Sequence, residues 1–585
     1  MKVILTTLNA KYTHTSLALR YLRGCCRDFC DAEIMEFTIN NQLLDILGQI
    51  YEKRPDVIGI VCYIWNIEMV KQLVKIFHRV LPDCRIVCGG PEVSYNTASF
   101  MQNFPMVDYV VRGEGEEAFA QLLQKLQSGH QITDIRGIAY REESGEICEG
   151  EAVTIGDLDT IVFPYEKMEM SEIKDRILYY ETSRGCPFAC KYCLSCATKG
   201  VRYFSIERVL KELAFFVKQD VRQVKFVDRT FNADKAHFVP IIDFIAKQDC
   251  RTNFHFEVAI DYMDDEVLAA LKCMPKGRVQ LEIGIQSTNK ETLQAVSRVN
   301  HWDKISANIK QILSFHNIHL HVDLIIGLPN EDKLSFSKSF NDVYELKPDM
   351  LQLGFLKFLK GAAIMKIVKE HEYVFMDMAP YQVLANKYMS YGEIRWFHSF
   401  EDVFERYYNA GRFRKTIAYL IRTGEAGNAF VFYQRFTNYW ENQGYHKVAH
   451  TTKALYGYLL DYCRDTYAEQ TIAVEELLKL DALISERGGV HPERLHWNMT
   501  KYQPETARFW RDSGAEKYIK AYTFTNWREL RRQYHIEVFS MDVLALIGGD
   551  VLVQKIMKKT AVLFDFRAEN VKCQVIEQGD LLNDI

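Results

Sequence analysis

The chain has 585 residues, of which 48% are hydrophobic and 25% charged, a globular composition that excludes disorder and fibrous repeats. Its 72 Lys and Arg nearly balance its 77 Asp and Glu, so the composition gives no electrostatic case for general nucleic-acid binding, although local contact with RNA stays open. No apolar run approaches the ~18 residues of a membrane span, and Met1–Asn9 is too short for a secretory signal. We therefore expect a cytoplasmic protein without a membrane partner. Its fifteen cysteines, an odd number, favour metal ligation or redox chemistry over a disulfide framework.

The first 155 residues alternate short β-branched runs with helical patterns. Predicted strands cover Lys2–Thr6, Glu33–Phe37, Val57–Cys62, Arg85–Gly89 and Asp108–Val111, and a predicted hairpin covers Arg136–Tyr140 and Glu146–Glu149. Strands that alternate with helices form parallel sheets with right-handed crossovers. The pattern predicts a doubly wound α/β domain over residues 1–155. Residues 156–177 show no clear period and are predicted as a linker.

A second alternation of strands and helices begins at Leu178. Its predicted strands cover Leu178–Thr182, Gln223–Asp228, Asn253–Val258, Val279–Ile285, Ile318–Ile326 and Met350–Phe355. Six such units predict a partial or full (β/α)6-type barrel over residues 178–375, with its site at the carboxyl ends of the strands.

Residues 376–585 differ in composition, because their helical patterns contain many aromatic and charged residues. Predicted helices cover Tyr381–Tyr391, Phe430–Trp440, Lys453–Tyr462 and Val474–Glu486, and predicted strands cover His535–Phe539, Ala561–Phe566 and Val571–Ile576. These patterns predict a separate α+β domain, to which we assign recognition of a substrate that the sequence does not name.

The strongest motif is a C-x3-C-x2-C run formed by Cys186, Cys190 and Cys193, just after the first barrel strand. A tight loop lets three thiolates converge on one iron–sulfur cluster, which Cys ligation normally holds. Three ligands leave one iron of a four-iron cluster open for chemistry, as in catalytic metal sites. The alternative is a structural zinc ion with Cys196 as fourth ligand, in which case the chain would be an interaction module rather than an enzyme.

This motif resembles that of the radical S-adenosylmethionine (SAM) superfamily, and the resemblance covers about Tyr179–Lys360. It implies a [4Fe-4S] cluster on the three cysteines, SAM on the open iron, and an external electron donor of the flavodoxin or ferredoxin type. One electron then cleaves SAM to a 5′-deoxyadenosyl radical. The implied SAM contacts are Tyr192 near the adenine, Asp228 at the methionine moiety, Gln286 and Ser287 at the ribose, and Gly327 at the adenine.

A doubly wound domain before such a barrel resembles the cobalamin-dependent branch of the superfamily. Three segments carry this resemblance, each at the carboxyl end of a predicted strand, where open α/β sheets bind ligands. They contribute Asn9, Tyr12, His14, Thr15 and Ser16; Gly89, Gly90, Pro91 and Glu92; and Gly113, Glu114, Gly115 and Glu116. The paired glycines are expected to permit close approach of the backbone to the macrocycle. The Asp-x-His-x-x-Gly run that ligates cobalt in mutases is absent from the sequence, so His14 is a candidate either for that role or for lining the pocket.

The resemblance implies an enzyme that methylates an unactivated carbon through methylcobalamin and the 5′-deoxyadenosyl radical. One alternative is a methylthiotransferase-like enzyme, which needs a second cluster on three cysteines at strand ends of the first domain. Cys62 and Cys88 end two predicted strands, but the first strand ends without a cysteine. Another alternative is a cobalamin-assisted cyclisation or rearrangement. No catalytic residue is predicted beyond the cofactor contacts.

Overall fold

In a computed structural model of the chain, the described residues are 1–130, 132, 134–197, 200–498, 501–511, 513–520, 526–548, 558–568, 570–577 and 579–581. They form two compact units, Met1–Ile394 and Arg395–Ile585. The second unit thus begins later than the predicted boundary before residue 376. Within the described ranges, no helix combines the length and the apolar character that a bilayer crossing requires.

The first domain is built on a parallel sheet. Its parallel strands are β1 (Val3–Asn9), β2 (Ala32–Thr38), β3 (Val57–Val61), β4 (Arg85–Gly89) and β5 (Tyr109–Val111), in the order β2-β1-β3-β4-β5. The predicted hairpin, β6 (Ile138–Arg141) and β7 (Ile147–Glu149), extends the sheet antiparallel beyond β5. The predicted doubly wound sheet is confirmed.

Helices cover both faces of this sheet: α1 (Leu17–Cys26), α2 (Leu43–Lys53), α3 (Ile67–Val80), α4 (Pro91–Ser94), α5 (Thr97–Asn103) and α6 (Glu116–Ser128). Successive side chains of a strand point to opposite faces, so β1 contributes side chains to two hydrophobic cores. Ile4 packs in the core that contains Phe77 of α3, whereas Val3 and Leu5 pack in the core that contains Phe119 of α6. Burial on both faces is why a central strand such as β3 is a continuous apolar run.

The predicted linker over 156–177 is packed against the domains that it connects. It contains two short 3-10 turns, Leu158–Thr160 and Lys167–Glu169, and the helix α7 (Met170–Ile173). Tyr165 is buried, and its hydroxyl donates to the carbonyl oxygen of Tyr179 at 2.6 Å. The connection therefore fixes the first domain against the start of the second.

The second domain is an open six-stranded parallel barrel sheet, as predicted. Its strands are β8 (Ile177–Tyr180), β9 (Ser183–Gly185), β10 (Val201–Tyr203), β11 (Gln223–Phe226), β12 (Asn253–Glu257), β13 (Val279–Gln286), β14 (His319–Ile326) and β15 (Met350–Phe355). The large sheet has the order β8-β11-β12-β13-β14-β15, and β9 and β10 form a separate antiparallel pair. Its helices are α8 (Ile206–Lys218), α9 (Lys235–Ala246), α10 (Asp265–Lys272), α11 (Lys290–Ala295), α12 (Trp302–Phe315) and α13 (Lys333–Tyr344).

The helix predicted over Tyr381–Tyr391 is wrong. A small antiparallel pair, β16 (Val374–Phe375) and β17 (Val383–Ala385), occupies this region, and the helix α14 (Tyr391–Phe404) begins only at its end. Val383 packs against Gly327, where an added Cβ would lie 2.8 Å from its Cγ1 atom. The side chain of Asn386 accepts hydrogen bonds from the N–H groups of Tyr388 and Met389, which favours a turn over a helix.

The second unit is mainly helical with one three-stranded antiparallel sheet, which confirms the predicted α+β class. Its elements are a π-helical turn (Glu405–Asn409), α15 (Arg414–Gly424), α16 (Ala429–Asn442), α17 (Thr452–Thr466), α18 (Thr471–Glu486), α19 (Gln503–Phe509), α20 (Trp527–Leu530), β18 (Tyr534–Phe539), α21 (Val543–Gly548), β19 (Thr560–Asp565) and β20 (Lys572–Ile576). At the start of α15, Phe413 is fully buried and Arg412 donates to Glu486 at 2.8 Å. This basic and aromatic stretch is therefore part of the domain's own packing.

Candidate functional site

The three motif cysteines line one wall of a cavity of about 170 Å³, the cysteine cavity. Cys190 is 5% exposed, and the N–H group of Cys193 donates to its carbonyl oxygen at 3.0 Å. The Cys186 sulfur lies 3.5 Å from the Thr230 hydroxyl. The structure thus brings the predicted ligands together at the carboxyl ends of the barrel strands, where the fold places its site.

The cysteine loop is held at both ends by backbone contacts. Gly185, at the end of β9, has φ +104°, and a Cβ there would collide with the carbonyl oxygen of Gly200, so the pairing of β9 with β10 requires glycine before Cys186. The N–H group of Lys191 donates to the carbonyl oxygen of Val296 at 3.0 Å, and its ammonium group donates to that of Ala295 at 2.8 Å. The barrel therefore fixes where the three sulfurs lie.

Arg298 contacts the cysteine loop directly, a contact that the sequence alone did not predict. Its guanidinium lies 3.6 Å from the Cys190 sulfur and 3.3 Å from the Tyr192 hydroxyl, and it also donates to the carbonyl oxygen of Gly284. It therefore places a positive charge against the sulfur of one predicted cluster ligand. Nothing in the spacing of Arg298 and the motif indicates this contact, because the loop after α11 brings the two together.

Acceptor groups also line the cysteine cavity. Gln286 Oε1 and Asp323 Oδ1 are buried, and in the described part of the chain neither has a hydrogen-bond partner. Burial, reinforced by the charges of Glu282 and Glu257, raises the pKa of Asp323 to about 8. For Glu282, burial is outweighed by contact with His255 and by the Lys225 charge, which lower its pKa to about 2. Buried oxygen atoms without a hydrogen-bond donor fit the hydroxyl groups of SAM.

Three predicted SAM contacts lie elsewhere. Asp228 is 1% exposed, and its carboxylate accepts hydrogen bonds from Thr182 and Ser183. The carboxylate is therefore already bonded within the protein. The hydroxyl of Ser287 donates to Glu331 at 2.6 Å in a buried network. Gly327 packs against Val383 as described above, and its carbonyl oxygen accepts from Tyr373 and Asn386. Tyr192 and Gln286 do line the cavity.

A second cavity of about 590 Å³, the interdomain cavity, lies between the carboxyl ends of the first sheet and the barrel. Eight of the predicted cobalamin contacts line it: Asn9, His14, Thr15, Ser16, Gly113, Glu114, Gly115 and Glu116. An adjoining space of about 130 Å³ shares some of this wall and is lined by Gly89 and Gly90. The structure therefore gathers residues from three strand ends of the first domain around one space.

Aromatic side chains form much of the interdomain cavity. The Tyr63 and Trp65 rings stack with centroids 4.3 Å apart, and Trp65 remains 45% exposed. The ring of His14 accepts or donates a hydrogen bond with the Tyr179 hydroxyl at 2.7 Å. Flat aromatic surfaces beside open polar groups fit a bulky macrocycle with amide side chains. Tyr63, Trp65 and Tyr179 were not predicted, because sequence patterns alone do not show which aromatic residues face a cavity.

Glu114 and Glu116 line this cavity but also hold the two domains together. Arg184 of β9 lies 2.5 Å from Glu116 and 2.7 Å from Glu181, and Arg202 lies 2.5 Å from Glu114. All of these side chains are largely buried. Since Arg184 precedes the first motif cysteine by two residues, these ion pairs connect the first domain to the cysteine loop.

The remaining predicted cobalamin contacts, Tyr12, Pro91 and Glu92, do not line the cavity. Tyr12 is 74% exposed, and Arg176 lies over its ring. Glu92 is buried, where it accepts a hydrogen bond from Tyr381 at 2.6 Å and lies 3.4 Å from Lys360. Its carboxylate is therefore used to attach the first domain to the segment after the barrel.

The positive-φ glycines serve the protein's own packing. A Cβ on Gly90 would lie 2.6 Å from the carbonyl oxygen of Cys62, and one on Gly113 would collide with that of Val153. Contacts within the first domain thus require glycine at these two positions, and their role beside a macrocycle stays a prediction.

The two cysteines considered for a second cluster form a buried thiol pair. Cys62 and Cys88 are both 0% exposed. A hydrogen bond with Cys62, together with burial, raises the pKa of Cys88, which opposes the thiolate form that a cluster requires.

Zinc ligation was the other alternative for the motif. Within the described ranges, no three His, Cys, Asp or Glu side chains converge closely enough to hold a single metal ion. The side chain of Cys196, considered as a fourth zinc ligand, lies outside the described part of the structure.

Comparison with known families divides the chain in the same way. Residues 3–123 match the B12 binding domain, residues 180–343 match the radical SAM superfamily, and residues 369–564 match a family of unknown function, DUF4080. The resemblance based on the cysteine motif and the preceding sheet is confirmed.

Several curated relatives carry methyltransferase names. An uncharacterized methyltransferase of Pyrococcus horikoshii is 27% identical over 349 residues, which are 58% of this chain and 75% of the relative. The cobalamin-dependent radical SAM methyltransferase TokK of Streptomyces tokunonensis is 27% identical over 317 residues, which are 50% of this chain and 45% of TokK. The match thus spans less than half the length of TokK.

A solved structure confirms the fold. The cobalamin-dependent S-adenosylmethionine radical enzyme OxsB, with aqua-cobalamin and S-adenosylmethionine bound, aligns with a TM-score of 0.55 at 15% identity. The alignment covers 84% of this chain and 82% of OxsB.

Proposed function

We propose that this chain, which joins a B12-binding domain to a radical SAM domain and a DUF4080 domain, is a cobalamin-dependent radical SAM enzyme that methylates an unactivated carbon. One observation carries the proposal. The cysteine cavity and the interdomain cavity adjoin, and Arg229 and Glu257 line both of them. A substrate at this junction would have access to both cavities at once.

When bound, the cluster supplies the electron that cleaves SAM to a radical, and cobalamin carries the methyl group that SAM supplies. The chain's own residues position these groups. Cys186, Cys190 and Cys193 hold the cluster, and Gln286 and Asp323 accept hydrogen bonds from SAM. Positioning of this kind is the main contribution of a protein to cofactor chemistry.

In the interdomain cavity, the aromatic wall and the first-domain loop would hold cobalamin. Trp65 is fixed because its indole N–H donates to the carbonyl oxygen of Leu8 at 3.0 Å. Asn9 donates to the carbonyl oxygen of His14 at 3.1 Å, and the Thr15 hydroxyl donates to that of Ile177 at 2.9 Å. The loop that follows β1 is therefore preorganised by its own hydrogen bonds before any ligand is present.

The proposal includes an external one-electron donor of the flavodoxin or ferredoxin type and a location in the cytoplasm. In the described part of the chain, no cysteine whose side chain is defined forms a disulfide, which suits a reducing compartment.

The test uses the full chain, reconstituted anaerobically with iron, sulfide and cobalamin. With SAM and a low-potential reductant, we expect 5′-deoxyadenosine and, only when cobalamin is bound, S-adenosylhomocysteine from methyl transfer. Cys190→Ala should abolish 5′-deoxyadenosine formation, whereas Cys273→Ala, at an exposed cysteine far from the motif in sequence, should not. Cleavage of SAM without any cobalamin-dependent S-adenosylhomocysteine would contradict methyl transfer and leave a different radical SAM reaction.

A further inference from the structure

Two residues at the junction of the cavities stand out by their charge. Among the described residues, Arg229 and Glu257 alone line both the cysteine cavity and the interdomain cavity. Arg229 follows the carboxyl end of β11, and Glu257 is the last residue of β12, which pairs with β11 in parallel. The ends of two neighbouring strands therefore place a guanidinium and a carboxylate near each other.

The other cations around these cavities are matched by protein partners. Arg184 pairs with Glu116 and Glu181, and Lys225 lies 2.9 Å from Glu282. Arg298 contacts the Cys190 sulfur, the Tyr192 hydroxyl and a backbone carbonyl.

Arg229 differs from all of them. Within the ranges that the structure describes, its guanidinium makes no hydrogen bond and no ion pair, and the same is true of the Glu257 carboxylate. The two groups lie near enough for the Arg229 charge to lower the pKa of Glu257, against the larger effect of burial, which raises it. The junction therefore presents an exposed guanidinium and a half-buried carboxylate, close to each other and without hydrogen bonds to the described part of the protein.

A guanidinium without a protein partner selects a carboxylate or a phosphate, because its fork of N–H donors matches their oxygens. A carboxylate beside it selects an ammonium or a hydroxyl group. We propose that Arg229 and Glu257 form the substrate subsite, which takes an anionic group, carboxylate or phosphate, next to a hydrogen-bond-donating group. This inference rests on the proposed function, since it places the substrate between the two cofactor cavities.

SAM carries a carboxylate of its own, which is the competing source of the anion. Arg298 contacts the cysteine loop, at 3.6 Å from the Cys190 sulfur, and of the two cavities it lines only the cysteine cavity. We therefore place SAM beside the cysteine loop, where Arg298 lies, and the anionic group of the substrate beside Arg229.

The experiment measures the reaction of phenylglyoxal, an arginine-selective reagent, at individual arginines by peptide mass spectrometry. It uses the full chain reconstituted with cluster and cobalamin, and it compares no addition, SAM alone, and SAM with inorganic phosphate. Arg222, exposed at the amino end of β11, is the internal control. We expect Arg229 to react at the same rate with and without SAM, and phosphate to slow it about threefold at two-thirds occupancy while Arg222 is unaffected.

Glu257→Gln removes the negative charge beside Arg229, so this variant should show stronger protection by phosphate than the wild type. Protection of Arg229 by SAM alone would overturn the proposal, because the anion would then be the SAM carboxylate. Absence of protection by phosphate in both proteins, or weaker protection in the variant, would also overturn it. Iron and cobalamin contents are measured on the same samples, so a failure of the proposed function is seen separately.

Discussion

The ring of His14, on the loop after the first strand of the B12-binding domain, hydrogen-bonds to the hydroxyl of Tyr179 on the first barrel strand at 2.7 Å. Both residues line the interdomain cavity. Burial, followed by the charges of Lys11, Lys225 and Arg176, lowers the pKa of His14, which keeps the imidazole neutral near pH 7. A neutral ring whose orientation is set by a residue of the other domain is suited to contact a cofactor that lies between them.

We predict that Tyr179→Phe weakens cobalamin binding. Loss of a neutral hydrogen bond changes a free energy by about 0.5–1.5 kcal/mol, which corresponds to about a two- to tenfold higher Kd. The Kd is measured by following the visible spectrum of cobalamin during titration of the apoprotein. Tyr12→Phe is the control, because Tyr12 is exposed and lies outside the cavity. Equal affinities for the Tyr179 variant and the control would contradict this role for the His14 contact.

Removal of the Arg298 charge should make the cluster harder to reduce. A cation that donates to a ligating sulfur favours the reduced cluster, which carries one more negative charge. If Arg298→Gln lowers the equilibrium constant for reduction of the cluster about tenfold, the midpoint potential falls by about 60 mV. The measurement is a redox titration followed by electron paramagnetic resonance, with Arg251→Gln, at an exposed arginine of the barrel, as control. An unchanged potential in Arg298→Gln would show that the contact with Cys190 does not act on the cluster.

Arg184 should contribute more to stability than a surface arginine does. Arg184→Gln would leave Glu116 and Glu181 buried without their cation, and breaking a buried pair in this way costs about 3–5 kcal/mol. Arg251→Gln, which removes an exposed pair with Asp175, should cost less than about 1 kcal/mol. Denaturant unfolding of both full-chain variants checks the difference, and similar losses in the two would refute the structural importance of Arg184.

A pH dependence of stability is expected from Glu331. Burial raises its pKa from an ordinary 4.5 to about 7, while Ser287 and Ser339 donate hydrogen bonds to it. The folded state therefore binds a proton that the unfolded state releases, so the contribution of this group to stability is full below pH 4.5 and is lost as the pH rises to about 7. Glu331→Gln keeps the acceptor oxygen and lacks the charge, so it should be more stable than the wild type at pH 8 by about 1–3 kcal/mol.

The neighbouring Asp332 provides a control of opposite sign. A hydrogen bond from the Ser335 N–H group is the largest cause that lowers the pKa of Asp332, so its contribution is present above pH 3.8 and is lost on acidification. Asp332→Asn should therefore be less stable than the wild type at pH 8. Thermal unfolding at pH 5 and pH 8 gives both comparisons, and a Glu331→Gln variant with the pH profile of the wild type would contradict the assignment.

The sequence was sufficient to predict the fold and the grouping of three cysteines at one cavity, because both depend on local signals. Alternating apolar runs predict the strands, and the spacing of Cys186, Cys190 and Cys193 predicts one loop. Both signals lie within short segments of the chain. The helix predicted over Tyr381–Tyr391 is wrong because the local pattern does not decide the structure there. The Asn386 side chain holds a turn, and Val383 packs against Gly327, which is distant in the sequence.

The cofactor contacts were harder to predict, because polar residues at strand ends have two possible uses. Asp228 and Glu92 each follow a strand, yet both carboxylates are hydrogen-bonded within the protein. Asp228 accepts from Thr182, and Glu92 accepts from Tyr381, where the first domain contacts the segment after the barrel. Glu257 also lies at a strand end, and its side chain lines the cysteine cavity. Sequence position does not distinguish these cases, since the partners of each side chain come from other strands.

The central claim, that one chain holds an iron–sulfur cluster and cobalamin in two adjoining cavities, is tested most directly by measuring iron and cobalamin in the same preparation. After anaerobic reconstitution with both in excess, the wild type should contain about four irons and one cobalamin per chain, as expected for a four-iron cluster. Cys190→Ala should lose the iron and keep the cobalamin. Iron bound at full occupancy without cobalamin, at saturating cobalamin, would contradict the account.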